Sequence, residues 1–93
     1  MLYHIHCLDK TDHLQVRLDN RDAHLQHLNS LGSRLFAAGP LLDEDEQMIG
    51  SVLVIEFHSR DDAETFCSRD PYAQAGLFQK VEITAWRKVL PAQ

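Results

Sequence analysis

A chain of 93 residues with 44% hydrophobic side chains and a formal charge of −5 suits one domain over residues 1–93, of a size that often gains stability by oligomerising. Its Lys and Arg residues are scattered, with only Arg87-Lys88 adjacent, so no basic stripe can neutralise nucleic-acid phosphates. Apolar runs such as Val52-Leu-Val-Ile55 fall far short of the roughly 20 residues that span a bilayer. The N-terminus lacks the basic region and cleavage site of a signal peptide, and a soluble, cytoplasmic protein without nucleic-acid or membrane partners is expected.

Leu2-Tyr-His-Ile-His-Cys-Leu8 alternates and is rich in strand formers, which predicts a first strand ending at Asp9-Lys10. From Thr11 to Leu31 the residues Leu14, Leu18, Leu25, Leu28 and Leu31 recur at helical spacing, and Gly32 supplies a stop. This predicts one helix. Arg34 to Leu42 is a second strand, bent at Gly39-Pro40 because proline cannot donate to a central ladder. Asp43-Glu-Asp-Glu-Gln47 is a charged connection, and Gly50-Ser51 opens a third strand, Val52 to His58, in a hairpin with the second. Ser59 caps a second helix, with Asp62 placed for the helix dipole and Ala63, Phe66 and Cys67 facing inward. Pro71 is expected to end it. A turn through Ala75-Gly76 leads to a last strand, Phe78 to Val89.

The order β-α-β-β-α-β predicts a ferredoxin-like α+β fold, an antiparallel sheet with two helices on one face. Period two turns Tyr3, Ile5, Cys7, Leu53, Ile55, Phe57, Val81 and Ile83 toward the helices. The opposite phase carries His4, His6, Val52, Val54, Glu56, Glu82, Thr84 and Trp86. A half-apolar face with a tryptophan suits contact with a second subunit, and a two-fold homodimer is expected.

His24 and Asp70 are polar residues in apolar frames, and a small domain could bring them together as a hydrogen-bonded histidine and carboxylate. An unperturbed histidine pKa of about 6.5 suits proton transfer in either direction near neutrality, and a carboxylate on the other ring nitrogen fixes the tautomer. The same residues also fit a structural role, with His24 packed in the helix–sheet seam and Asp70 capping the turn at Pro71. Arg21, one turn before His24, could hold an anionic ligand or pair with a neighbouring acid. Ser51 could hydrogen-bond a ligand but lacks a nucleophile-elbow motif. Tyr72 could line the same pocket or be a core aromatic. His4, His6 and Glu56 match no named metal motif, so no metal is expected. His13, His27 and His58 read as surface residues, and Cys7 and Cys67 as small buried hydrophobes.

Arg21-x-x-His24-Leu25, Ala38-Gly39-Pro40-Leu41, Gly50-Ser51 and Asp70-Pro71-Tyr72-x-x-Ala75-Gly76-Leu77-Phe78 occur in the order seen in the YciI-like family. The opening Met1-Leu-Tyr3 and the late Val81-x-Ile83-x-x-Trp86 are also similar to that family, so the resemblance covers nearly the whole chain. It implies a dimeric ferredoxin-like fold of the dimeric α/β-barrel group, with a histidine and aspartate site falling on His24 and Asp70. Chemistry suggested within the family includes dehydrochlorination of a chlorinated aromatic compound. The expected function is cofactor-independent acid–base catalysis on a small, anionic molecule, by elimination or isomerisation beside a carbonyl or phenol. In that reading His24 moves the proton, Asp70 orients it, and Arg21, Ser51 and Tyr72 contact substrate. The alternative is a non-catalytic module that binds a small metabolite or serves as an accessory subunit. No glycine-rich phosphate loop is present, since each glycine stands singly at a turn or bend.

Overall fold

The computed structural model describes residues 1–92. Its elements are β1 (Leu2–Asp9), α1 (Leu14–Asp19), α2 (Arg21–Asn29), β2 (Leu35–Leu42), β3 (Met48–Glu56), α3 (Arg60–Ser68), α4 (Pro71–Gln74) and β4 (Phe78–Trp86). The strands form one antiparallel sheet in the order β2-β3-β1-β4. The two most apolar strands, β1 and β3, are therefore central. The architecture is the expected ferredoxin-like α+β fold.

Alternation sets the core. Tyr3, Ile5 and Cys7 lie opposite Ile55, Leu53 and Ser51 of β3, so these six share one face of the sheet. Apart from Ser51 they join Phe57 in a buried cluster with Leu28, Leu31 and Ala63 from the helical layer. Ile83 of β4 packs partly against that cluster. Val81, expected inside, is exposed, because it lies on an edge strand that the helices cover incompletely.

The expected single helix from Thr11 to Leu31 is two helices, broken at Asn20, whose side-chain amide donates to the Val16 carbonyl. The leucine pattern is also displaced from the buried stripe. Leu18 and Leu25 are 46% and 37% exposed, whereas Arg17 and His24, one position before each, are buried. Pro71 does not end a helix but begins α4: Asp70 stands at its N-cap and accepts the Tyr72 N–H at 2.9 Å. Proline at the first helical position loses no hydrogen bond. Ser59 caps α3 as expected, accepting from the Asp62 N–H.

β2 runs through Gly39 and Pro40 without ending, since it is an edge strand where a missing N–H is tolerated. β3 begins at Met48, earlier than the expected Val52, and stops at Glu56; β4 stops at Trp86. The β2–β3 turn is closed by Asp43, whose carboxylate accepts the N–H groups of Asp45 and Gln47. No helix among the described residues is long and apolar enough to cross a membrane.

Gly50 fixes how closely β3 approaches β1. A Cβ there would stand 2.3 Å from the Cys7 carbonyl oxygen, a backbone atom that can yield only if the strands part. Gly50→Ala is therefore expected to cost about 1–3 kcal/mol, as overpacking does, measured by urea denaturation. An unchanged midpoint would show that the strands separate freely.

Candidate functional site

The sheet's helix-facing core is apolar except where Ser51 interrupts the row of Leu53, Ile55 and Phe57 and where Asp9 ends β1. Above that point the helical layer contributes three further buried polar residues, Arg17 of α1, His24 of α2 and Asp70 at the start of α4. Buried charges persist only when paired and hydrogen-bonded, and each of these is.

His24 Nδ1 donates to both carboxylate oxygens of Asp70, at 2.8 and 2.9 Å. The acceptor is a carboxylate, so the ring proton resides on Nδ1 and Nε2 carries the lone pair of the neutral ring. Asp70 Oδ1 also receives the Tyr72 N–H. The capping role and the histidine-pairing role weighed for Asp70 are thus held together by one side chain. The His24 ring stacks on Tyr72 with centroids 3.9 Å apart and planes 14° from parallel. Its Nε2 makes no hydrogen bond to any described residue.

The Tyr72 ring has a second polar neighbour, the Arg17 guanidinium, with Cζ 4.6 Å from the ring centroid. Arg17 is a site residue that sequence patterning does not single out. Its Nε and Nη2 grip the Asp9 carboxylate at 2.7 and 2.9 Å, and Nη2 also donates to Ser51 Oγ at 3.0 Å. Burial opposes the guanidinium charge, but the Asp9 contacts outweigh it and hold the Arg17 pKa above its ordinary value. A signal exists in the sequence: Arg17 lies seven residues before His24, on the same stripe as Leu31, and Asp9 closes β1 close by. The exposed leucines at 18 and 25 mask it.

His24, Arg17, Ser51 and Tyr72 line a cavity of about 130 Å³, whose other walls include Leu28 and Leu53. Arg21 also lines it, from an exposed position. Asp70 lies behind His24 rather than on the cavity wall. The cavity therefore joins four of the five anticipated residues directly and Asp70 through His24.

The groups around the cavity differ in what they can do near neutrality. Burial pushes the Tyr72 phenol up, against the opposing influence of Arg17 and Arg21, so Tyr72 keeps its proton. The thiols of Cys7 and Cys67 are pushed up to about 12, by burial first in each case, which leaves both without thiolate character. Cys7 is buried as expected, whereas Cys67 is only half-buried.

The remaining histidines divide differently from expectation. His27 is half-buried rather than a free surface residue: its Nε2–H donates to the Phe66 carbonyl at 3.0 Å and its ring stacks on Phe66, tying α2 to α3. His13 bonds locally to the Thr11 carbonyl, and His58 is exposed. Glu56 pairs with the amino group of Met1. Among the described residues no three His, Cys, Asp or Glu side chains are grouped to hold a metal ion.

The sheet order and helical layer place the chain among the ferredoxin-like α+β proteins, and an antibiotic biosynthesis monooxygenase shares that fold at 14% identity and a TM-score of 0.57, covering 96% of this chain and 99% of its own. Within this class the chain belongs to the YCII-related domain family, whose model matches residues 1–87. It is 37% identical to the protein YciI of Escherichia coli O6:H1 (strain CFT073) over 97 residues, covering 96% of this chain and 99% of the relative. It is also similar to a solved structure, the 5-chloro-2-hydroxyhydroquinone dehydrochlorinase TftG of Burkholderia phenoliruptrix AC1100 in complex with 2,5-dihydroxybenzoquinone. The identity there is 37% and the TM-score 0.87, with 94% of each chain covered.

Removing Asp9 leaves a buried guanidinium uncompensated. Asp9→Ala is expected to lower stability by about 3–5 kcal/mol, the usual cost of breaking a buried pair from one side, whereas the double substitution Asp9→Ala/Arg17→Leu recovers a large part of the loss. Urea denaturation of the three proteins measures this. A single-mutant loss below about 1 kcal/mol, the range of exposed pairs, would contradict the burial argument.

Proposed function

We propose that this protein is a cofactor-independent acid–base catalyst of elimination or isomerisation on a small, acidic molecule beside a carbonyl or phenol. His24 Nε2 is the proton acceptor, Asp70 holds the imidazole in the tautomer that leaves Nε2 unprotonated, and Arg21 attracts the anionic substrate from the rim. Ser51 and Tyr72 contact the substrate in the cavity. The observation that carries this reading is the buried Nδ1–carboxylate bond with the opposite ring nitrogen unengaged beside a cavity. The imidazolium formed on proton uptake is stabilised by the same carboxylate.

The likeness to TftG supports the elimination arm of this proposal. That protein is named a dehydrochlorinase and is complexed with a dihydroxylated six-membered ring. The test is turnover of chlorinated and unchlorinated trihydroxybenzenes, followed by chloride release and by absorbance. His24→Asn places an amide nitrogen where Nδ1 stands, so the bond to Asp70 can survive while the base is lost. It is expected to lower kcat/KM by about 10²–10⁴, the range of general-base contributions, with ligand affinity retained. Turnover at the wild-type rate in His24→Asn would sink the proposal. Ligand binding with no turnover by wild type across the series would favour the non-catalytic binding module instead.

We also infer a homodimer formed through the open sheet face. Phe36 and Trp86 stand there 52% and 39% exposed, with ring centroids 6.2 Å apart, and His6 Nδ1 is buried without a partner among the described residues. Exposed aromatic surface of this kind favours association. Sedimentation of wild type is expected to give a dimer and of Trp86→Glu a monomer. A wild-type monomer at high micromolar concentration would remove the inference.

A further inference from the structure

The acid–base reading leaves Arg17 without a role, and its contacts give it one. Three N–H groups of the guanidinium are committed, two to Asp9 and one to Ser51 Oγ, and the rest of the guanidinium lies against Tyr72. Ser51 Oγ receives a charge-assisted hydrogen bond, which engages one of its lone pairs. Its own proton has no acceptor among the described residues, although the residue is buried and lines the cavity. A buried hydroxyl proton is costly to leave unmatched, and a donor polarised by a guanidinium is a stronger donor. The hydroxyl is therefore poised to donate to something in the cavity.

The same contacts argue against Ser51 as a nucleophile. His24 directs its ring proton to Asp70, and no basic group among the described residues accepts from Ser51. A hydroxyl oxygen that faces a guanidinium is made less nucleophilic by it.

The cavity limits what can sit there. A volume of about 130 Å³ is close to the roughly 150 Å³ of an apolar cavity that admits one benzene ring. Leu28, Leu53 and Pro40 contribute apolar wall, while Arg17, Ser51 and His24 contribute the polar groups. The Tyr72 ring touches both Arg17 and His24, so the donor pair and the base are set on one aromatic platform.

We propose that Arg17, clamped by Asp9, fixes the Ser51 hydroxyl as a donor into the cavity, forming with it a receptor for the anionic oxygen of a single-ring enol or phenol. This rests on the acid–base reading of His24. When His24 Nε2 takes a proton from the ring's hydroxyl or from the carbon beside its carbonyl, an N–H bond forms and the O–H or C–H bond breaks. The released electron pair moves onto the ring oxygen held by Ser51. The imidazolium keeps the proton until it is returned to another ring atom or to water, so charge and atoms balance within the step. Preorganised donors aimed at developing charge often contribute more to enzymatic rate enhancement than any other single effect. Arg17 in this scheme is a positioning residue.

The test is calorimetric binding of two probes near neutral pH, 2,5-dihydroxybenzoquinone as the ionised ring acid and phenol as a neutral ring of similar size. Ser51→Ala is expected to weaken the ring acid about tenfold or more, as loss of a hydrogen bond to a charged group does, while phenol affinity stays within about threefold. Ser51→Thr, which keeps the hydroxyl, is expected to restore the preference. Arg17→Lys, which removes the fork but retains a cation, lowers the ring acid's advantage over phenol without changing phenol affinity, a result that general loss of structure would not give. Equal binding of the ring acid by wild type and Ser51→Ala, or no binding by wild type, overturns the receptor. His24→Asn is expected to bind the ring acid within about threefold of wild type. Equal binding in Ser51→Ala together with lost turnover in His24→Asn would remove the receptor and leave the acid–base reading standing.

Discussion

The polar half of the cavity depends on one ion pair. Asp9 closes the first strand, Arg17 sits in the short helix that follows, and the fork between them fastens the helical layer to the sheet where both would otherwise be apolar. Its value lies less in net stability, since buried pairs often return little beyond their desolvation cost, than in position. A guanidinium held through Nε and Nη2 has no rotational freedom left, so the bond from Nη2 to Ser51 and the placement over Tyr72 follow from geometry already fixed. The break at Asn20 contributes by letting Arg17 and His24 belong to different helices while both reach Tyr72.

The two charged pairs are built from different materials. Asp9–Arg17 joins a carboxylate to a guanidinium through two N–H groups, a contact that holds the Arg17 pKa above its ordinary value. The His24–Asp70 contact joins an imidazole N–H to a carboxylate that also accepts a backbone N–H. Tyr72 separates them as a flat hydrocarbon surface that holds its own proton. The cavity therefore has an ion-paired guanidinium at one end and a carboxylate-bound imidazole at the other, with Tyr72 between them.

Much of this is legible in the chain. Alternation in Leu2 to Leu8 and the apolar run from Val52 to Ile55 identify both central strands, and the phase assigned to the helices is buried in each, with Val54 of the opposite phase buried as well. Ser59 and Asp70 are caps by residue type alone. What pattern reading misses has a common cause. A hydrophobic stripe through Leu14, Leu18 and Leu25 is the natural reading, yet the inner surface of the helices is partly polar, and Leu18 and Leu25 beside it turn outward. Composition ranks a leucine above an arginine for burial, and only a long-range partner such as Asp9 reverses that order. Pro71 misleads for a related reason: proline both ends and begins helices, and the carboxylate before it decides which.

One oxygen of Asp70 begins α4 and also holds the imidazole. Its side-chain length is thus selected twice, once by the reach from an N-cap to the Tyr72 N–H and once by the reach to Nδ1. A glutamate, one methylene longer, changes both distances together, so neither requirement can drift while the other is kept. The imidazole end of the cavity is consequently hard to reshape by stepwise substitution. The rim is free of such double duty. Arg21 and Met48 line the cavity without a capping bond, so a substitution there changes the shape of its mouth and leaves the Asp70 contacts in place.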